Sequence, residues 1–387
     1  MTYYSYAIKR TIMIILALCI TIFSNFSAIA KDAIPQPPSI NSKAHILLDY
    51  DSGQVLAASN PDLRLEPASL TKILAVDVVF KEIVAGRVKL SDKVLISKHA
   101  KKTGGSRTFI EVGEYLKVET LLKGAIIQSG NDATVALAEH IGGTEQNFAQ
   151  MMNDQARNLS MTNSNFANAT GLPHPDHYST ARDMAKVSIA TIREFPEFYK
   201  IYSQKEFTFN KIKQRNRNLL LWRDRSIDGI KTGHTNAAGY CLAASAKRRG
   251  RRLVSVILGS KNEATRARDS KRLLDYGFKY FETHKLYEPR QVLGKVRVWK
   301  GVNGEVTVGP AHPVYVTVPK QQYQNIQLKL EMAASLPAPV AANQQVGRVL
   351  INLGTQQLAE VPLIALAESK TGNIFRQILD TILLWFN

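Results

Sequence analysis

Two cysteines, Cys19 and Cys241, stand in 387 residues. That scarcity excludes a disulfide framework and any zinc or iron–sulfur site built from cysteine. Also absent are G-x-S-x-G, G-x-G-x-x-G, a Walker phosphate loop and H-E-x-x-H, so those routes to ester, dinucleotide, nucleotide and zinc-peptidase chemistry have no support. His174 and His177 have metal-like spacing, but Pro173 and Pro175 interleave them and no third ligand is evident, so a polar loop is expected there. Acidic residues are few, 32 against 50 Lys+Arg, for a net charge of +18. A surface this basic attracts something anionic, such as nucleic acid, phospholipid or wall polymer. Hydrophobic residues at 45% and charged residues at 21% place the chain among globular proteins and exclude wholesale disorder.

Long apolar runs are also lacking. The run from Thr11 to Phe23 follows Lys9 and Arg10 and precedes Ala28-Ile29-Ala30. It is too short to cross a bilayer, which needs about 20 residues, and fits a secretory signal with cleavage after Ala30. Leu16-Ala17-Leu18-Cys19 is a poor lipoprotein box, because Leu18 is bulky and the apolar run continues past the cysteine. A secreted chain meets little nucleic acid, so wall polymer and anionic lipid become the expected partners.

Past the signal, residues 31–42 read as an extended leader with Pro35, Pro37 and Pro38. Ile46–Tyr50 and Gln54–Ala58 flank Asp51-Ser52-Gly53 as strand, turn and strand. Pro67 suits a first helical position, and Ile73, Val76, Val79, Phe80 and Ile83 recur at helical spacing to Ala85. Helical patterns run from Val118 to Leu159, broken at Gln128-Ser129-Gly130-Asn131. Strands are expected at Glu206–Asn210, Gly229–Thr232, Gly239–Ala244 and Leu253–Leu258. The last three form a meander, with the basic hexapeptide Lys247–Arg252 as a solvated turn. A helix from Ala264 to Glu282 closes this part. Short alternating runs then follow between Gly, Pro and Asn, at Gly294–Trp299, Glu305–Val308, Val314–Val318, Ile326–Glu331 and Gln345–Asn352. They predict a small all-β domain. In the tail, Ile374, Phe375, Ile378, Leu379, Ile382, Leu383 and Phe386 share one helical stripe opposite Arg376, Gln377, Asp380 and Thr381. Such a helix suits a membrane interface, or docks on the domain before it.

Three short motifs remain as carriers of chemistry. Ser69-Leu70-Thr71-Lys72 is the one Ser-x-x-Lys of the chain. Residues three apart share a helix face, so the Lys72 amine can reach the Ser69 hydroxyl. A neutral lysine there takes the serine proton and activates a nucleophile without histidine. Ser69 is also expected in the first helical turn, where free backbone N–H groups favour developing negative charge. Ser129-Gly130-Asn131 follows 60 residues later, offering a hydroxyl for proton relay and an amide for a substrate backbone. Lys231-Thr232-Gly233 comes 102 residues after Ser129, at a strand end. Lys231 and Thr232 suit a carboxylate, and Gly233 admits substrate close to the backbone. Lys-Thr-Gly recurs at 102–104 and 370–372, yet neither copy begins a sheet strand. Order and spacing make the combination specific where each part is weak.

In this combination the sequence resembles the low-molecular-mass penicillin-binding proteins that are serine-type D-alanyl-D-alanine carboxypeptidases. The likeness extends to Glu66–Lys72, Ile127–Ala133 and Ser179–Met184. His234 after the Lys-Thr-Gly differs from some relatives and bears on fine substrate preference. The resemblance implies a penicilloyl-serine-transferase α/β (α+β) fold, an antiparallel sheet flanked by helices. It implies a signal peptide over 1–30, a catalytic domain over 31–283, a β-rich domain over 284–367 and an amphipathic anchor over 368–387. It implies that Ser69 is the nucleophile, Lys72 the base and Ser129 the relay to the leaving D-alanine. Asn131 would hold the peptide of a peptidoglycan stem, Lys231 and Thr232 its carboxylate, and Gly233 its approach. His234 and Ser69 would give the oxyanion N–H groups. No metal or cofactor is expected, β-lactams are expected inhibitors, and the place is periplasmic, on the outer face of the inner membrane.

Two rivals stand beside it. A class A β-lactamase needs a deacylating glutamate, which Glu206 matches only superficially, since Glu206–Asn210 reads as a strand too late in the chain. A wall-binding scaffold with secondary catalysis would use the basic surface, β domain and tail.

Overall fold

A computed structural model of the chain describes residues 35–385. The expected signal segment, Cys19 and Phe386 lie outside the described residues. From Pro37 onward the chain clusters as one compact unit.

The architecture is α+β. Mainly apolar stretches such as Ala44–Asp49, buried along its whole length, supply the central strands of a five-stranded antiparallel sheet. Its order is Val55–Ser59, Ala44–Asp49, Arg251–Ser260, Gly239–Arg248 and Ile227–Thr235. Ile227–Thr235 is an edge strand, with a free margin for an added chain. Helices Ala181–Glu194 and Glu263–Tyr280 pack on strand Arg251–Ser260. Helices Thr71–Val84, Asn131–Gly142 and Glu145–Asn158 pack on one another as a second lobe. Phe80, Leu121, Val135, Met152 and Met184 belong to the core they share.

Several expected boundaries shift for identifiable reasons. Ala68 takes a left-handed φ of 48°, so Ser69 sits in a 3-10 turn, Ala68–Leu70, and the α-helix starts only at Thr71. Pro67 caps that turn rather than opening the α-helix. The basic hexapeptide is mostly strand: the turn is Arg249-Gly250 alone, both residues at positive φ, as two-residue hairpins prefer. Arg248 pairs with Asp224 and Asp275, Arg251 with Asp49, and Arg252 with Asp228. The charge is spent within the fold. Lys231-Thr232-Gly233 lies inside its strand, which continues to Thr235. The helix expected to run to Glu282 stops at Tyr280, because Phe281–Tyr287 instead pairs with Val314–Pro319.

Beyond that point lies a six-stranded sheet in the order Ile326–Met332, Gln345–Leu353, Gln356–Ala365, Glu305–Pro310, Gly294–Trp299 and Ser335–Pro337. Its core is mainly valine, among them Val298, Val308, Val316 and Val349. Alternation located four of these strands, but Ser335–Pro337 and Gln356–Ala365, the partner of both Gln345–Leu353 and Glu305–Pro310, escaped it. The expected division at 283/284 falls within strand Phe281–Tyr287.

The final helix, Ile374–Leu383, is capped by the Asn373 side chain, which accepts the Arg376 N–H. Asp380 on its polar face is fully buried and accepts the Lys300 N–H at 2.6 Å beside Arg376 and Arg297. The apolar face is turned outward: Phe375 is 79% and Trp385 84% exposed, and Ile378, Leu379 and Ile382 are about half exposed. No helix of the described residues is long and apolar enough to cross a membrane.

Candidate active site

The 3-10 turn presents Ser69, and the next helical turn presents Lys72, whose side chain is wholly buried. The Lys72 Nζ donates to Ser69 Oγ at 3.0 Å, to Asn131 Oδ1 at 2.6 Å and to the Thr170 carbonyl at 2.7 Å. Those three acceptors aim the amine at the hydroxyl. Burial, helped by the cationic Arg217, lowers the lysine pKa from 10.5 to about 7, against Asp132 and Glu145, which raise it. At neutral pH a large fraction is therefore neutral amine, able to accept a proton.

Two supports hold this pair. Asn168 Oδ1 accepts from the N–H groups of Thr170 and Gly171 and from the Thr170 hydroxyl, shaping the turn that supplies the Thr170 carbonyl. Gly171 has φ +83°, and a Cβ there would lie 1.8 Å from the Ala68 carbonyl oxygen, so the turn presses directly on the segment that carries Ser69. On the other side Asn131 Nδ2 donates to the Gly104 carbonyl at 2.6 Å. The next residue, Asp132, is buried and accepts the N–H groups of Thr108, Phe109 and Ala133. A buried carboxylate satisfied by backbone N–H groups fixes the loop around Gly105 against the helix.

Ser129 caps the preceding helical segment in the left-handed conformation, φ 65°. It is nearly buried and lines the same cleft as Ser69, Asn131, Thr232, Gly233 and His234. Gly233 lies close to Pro67, Ala68 and Leu70, where a Cβ would meet the Pro67 carbonyl at 2.9 Å. Lys231 is buried behind this edge, its Nζ donating to the Thr232 carbonyl at 3.2 Å. Burial and the neighbouring cations Lys72, Arg217 and Arg266 press its pKa well below 10.5. The resulting cleft of about 450 Å³ is cationic at one wall and bounded by a free strand edge. It suits an extended peptide ending in a carboxylate.

The structure thus brings all eight expected residues, Ser69, Lys72, Ser129, Asn131, Lys231, Thr232, Gly233 and His234, to one place. His234 is exposed and packs on Tyr240, ring centroids 4.1 Å apart. Sequence reasoning missed Arg217 and the Thr170 carbonyl. In Gln214-Arg215-Asn216-Arg217-Asn218 the even residues are buried and the arginines exposed, and Arg217 lines the cleft. Nothing but that alternation marks it. The Thr170 contribution is a backbone atom, and its one trace is the turn signal Asn168-Ala169-Thr170-Gly171. Among the described residues no His/Cys/Asp/Glu group has metal-binding form. His177, expected in a polar loop, is buried; its Nδ1 accepts the Ala167 N–H, so Nε2 carries the proton donated to Thr71 Oγ1 at 2.8 Å. Burial lowers its pKa to about 4. Glu206 is on a hairpin strand and does not line the cleft.

Comparison with known proteins agrees with this geometry. Residues 31–262 match the family model described as D-alanyl-D-alanine carboxypeptidase, and residues 281–371 match that of the penicillin-binding protein 5 C-terminal domain. The chain belongs to the D-alanyl-D-alanine carboxypeptidase family. It is a serine-type hydrolase of the penicillin-binding proteins. It is 40% identical over 93% of its length to the carboxypeptidase DacC of Escherichia coli, covering 92% of that protein. Its identity to DacA of Haemophilus influenzae is 39%, over 97% of this chain and 98% of the other. Among solved structures, penicillin-binding protein 5 of Haemophilus influenzae superposes with a TM-score of 0.82 at 40% identity, over 87% of this chain and 99% of that one.

Proposed function

We propose that this carboxypeptidase removes the terminal D-alanine from peptidoglycan stem pentapeptides through an ester on Ser69. The observation that carries the reading is the buried Lys72 amine, 3.0 Å from Ser69 Oγ, with a pKa brought to about 7. Lys72 takes the Ser69 proton as Oγ bonds to the carbonyl carbon between the two D-alanines. The Ser69 and His234 N–H groups hold the oxyanion. The C–N bond breaks as Ser129 gives a proton to the leaving amine and takes the one that Lys72 received from Ser69. Asn131 aligns the peptide, Lys231 and Thr232 receive the terminal carboxylate beside Arg217, and Gly233 lets the substrate approach. Lys72, neutral again once its proton has been relayed through Ser129, takes a proton from water as the water attacks the ester, and Ser69 Oγ leaves with that proton returned from Lys72. A β-lactam acylates the same oxygen. A related structure, penicillin-binding protein D2 of Listeria monocytogenes at 27% identity and TM-score 0.58, is an ampicillin-bound form.

The mature protein, in this reading, begins after Ala30 and works in the periplasm, with residues 31–283 catalytic and 284–367 a β-rich support. Residues 368–387 attach it to the outer face of the inner membrane. The outward apolar face of Ile374–Leu383, held by buried Asp380, supports this attachment. The β-lactamase reading lacks a fitting base: Glu263 is the one carboxylate residue among the cleft-lining residues, and it is paired with Arg266.

The test incubates protein lacking residues 1–30 with a fluorescent penicillin and with an N-acyl-Lys-D-Ala-D-Ala peptide. Stable labelling and D-alanine release, both lost in Ser69→Ala by a factor of about 10⁴ or more, are expected. Rapid penicillin hydrolysis without D-alanine release favours the β-lactamase, and wall binding that survives with neither reaction favours the scaffold. Deleting residues 368–387 is expected to release the protein from vesicles while D-alanine release stays near normal.

A further inference from the structure

The two margins of the six-stranded sheet differ. One is Ser335–Pro337, three residues ending in proline, which offers little to an added strand. The other is Ile326–Met332, seven residues without proline, and among the described residues no strand lies on its outer side. Its inner side pairs with Gln345–Leu353, with Leu328 against Ile351 and Leu330 against Val349. Ile351 and Val349 are wholly buried, so Leu328 and Leu330 stand on the core face of the sheet. They are nevertheless 41% and 39% exposed. The valine core is open along this margin.

The backbone there is free as well. The Ala333 N–H donates to the Val346 carbonyl at 3.1 Å, which turns Ala333 toward the neighbouring strand. In an antiparallel ladder such bonding alternates along the chain. The backbone groups of Glu331 and Lys329 therefore point inward too, while Leu328, Leu330 and Met332 direct theirs out of the sheet. On the face opposite the leucines, Lys329 Nζ lies 2.8 Å from Glu331 Oε1, and Glu331 also meets Arg348.

This margin is complementary to itself. Set antiparallel to a second copy with a two-fold axis at Leu330, it places Leu330 opposite Leu330, Leu328 opposite Met332 and Lys329 opposite Glu331. Apolar side chains then meet on the core face and opposite charges on the other. Moving the axis to Lys329 or to Glu331 sets like charges opposite each other. Lysine on an edge strand commonly guards it against pairing, but here Lys329 selects one register. We propose that Ile326–Met332 is a dimerisation edge: a second copy of this chain adds its own Ile326–Met332 antiparallel about Leu330, joining two sheets into one. Two paired strands of this length cover less than a standard interface, so the dimer is weak and concentration-dependent.

The experiment uses the full chain lacking residues 1–30, whose remaining cysteine, Cys241, is buried. A mild detergent covers the apolar stripe of the tail helix. Leu330→Cys and Leu328→Cys place single thiols on the same face with nearly equal exposure. Across the proposed axis the two Leu330 Cα atoms fall about 5.5 Å apart, within disulfide reach, whereas the two Leu328 positions are offset along the strands beyond it. Mild oxidation is expected to link Leu330→Cys into a covalent dimer about tenfold faster than Leu328→Cys, at a rate that rises with protein concentration. Lys329→Glu sets like charges opposite at both ends of the pairing. In sedimentation of the chain without added cysteine it is expected to raise the dimer dissociation constant about tenfold. Thermal melts against the unaltered chain check that each variant is folded. Equal linkage at the two positions, or none at Leu330→Cys, overturns the proposal, and so does a dimer that Lys329→Glu leaves unchanged. A chain that stays monomeric at every concentration leaves this edge to some other protein and overturns it as well.

Discussion

The region up to Tyr280 and the β region after it bury very different things. In the first, Asp49, Lys72, Asp77, Asp132, Asp183, Lys231 and Asp269 are all nearly or wholly inaccessible. In the second, the core is mainly valine, and Asp380 is its one fully buried ionisable side chain among the described residues. Burying a charge costs free energy unless it is paired or neutralised. The first region uses that cost: desolvation is what brings Lys72 to about 7. The second has no such task, and its strands form an ordinary apolar core. Even Asp380, whose Oδ2 accepts the Lys300 N–H, serves to dock a helix.

The contrast breaks most visibly at two left-handed glycines. Gly171→Ala, with a Cβ 1.8 Å from the Ala68 carbonyl, should displace the turn that carries Ser69, lower stability by roughly 3 kcal/mol or more, and abolish penicillin labelling. Gly354 has φ +58° and nothing within 4 Å of its would-be Cβ. Gly354→Ala therefore meets only the left-handed strain of an alanine, about 1 kcal/mol, with turnover unaltered. Between these lies Val349→Ala in the valine core. It should cost about 2 kcal/mol in denaturant unfolding and leave the penicillin acylation rate within twofold. Loss of acylation in that variant would show the two regions to be coupled.

The subtlest test is electrostatic. Because the folded pKa of Lys72 is depressed, its reactive neutral form dominates above about pH 7 and is lost below it. The acylation rate should rise through that pH and level off. Arg217 lowers the lysine pKa, so Arg217→Gln should move the rise to higher pH, a shift measured from single-turnover labelling. An unmoved profile would mean that burial alone sets the lysine. The stability sign follows the same rule. Unfolded Lys72 binds its proton with the ordinary pKa of 10.5. The cost of burying it is thus absent above that value and complete below about 7.

Several elements were legible because local chemistry announces them. Ser69 and Lys72 were joined by helical spacing, and the 3.0 Å contact follows from it even though Ser69 stands on a 3-10 turn. The strands Gly294–Trp299 and Val314–Pro319 followed from alternation and turn residues. Other features were hidden because they depend on partners distant in the chain. Ala68 adopts its positive φ, a conformation alanine does not prefer, where Gly171 packs against it from about 100 residues away. Glu282 reads as helical, yet the chain there pairs with Val314–Pro319. The Arg248, Arg251 and Arg252 run looked like a solvated turn, since no local pattern foretells Asp49, Asp224, Asp228 and Asp275.

What the sequence determined by itself was the chemical repertoire: a hydroxyl and an amine one helical turn apart, two further motifs in fixed order, an apolar stripe at the tail. Periodicity and residue type carry that information within a few positions. What the tertiary structure decided was the state of those groups. Lys72 is an ammonium in the unfolded chain. It becomes a largely neutral amine only when the helical lobe, the Thr170 carbonyl, Asn131 and Arg217 exclude water and set the field around it. A pKa is a property of surroundings, and those surroundings come from residues dozens of positions apart.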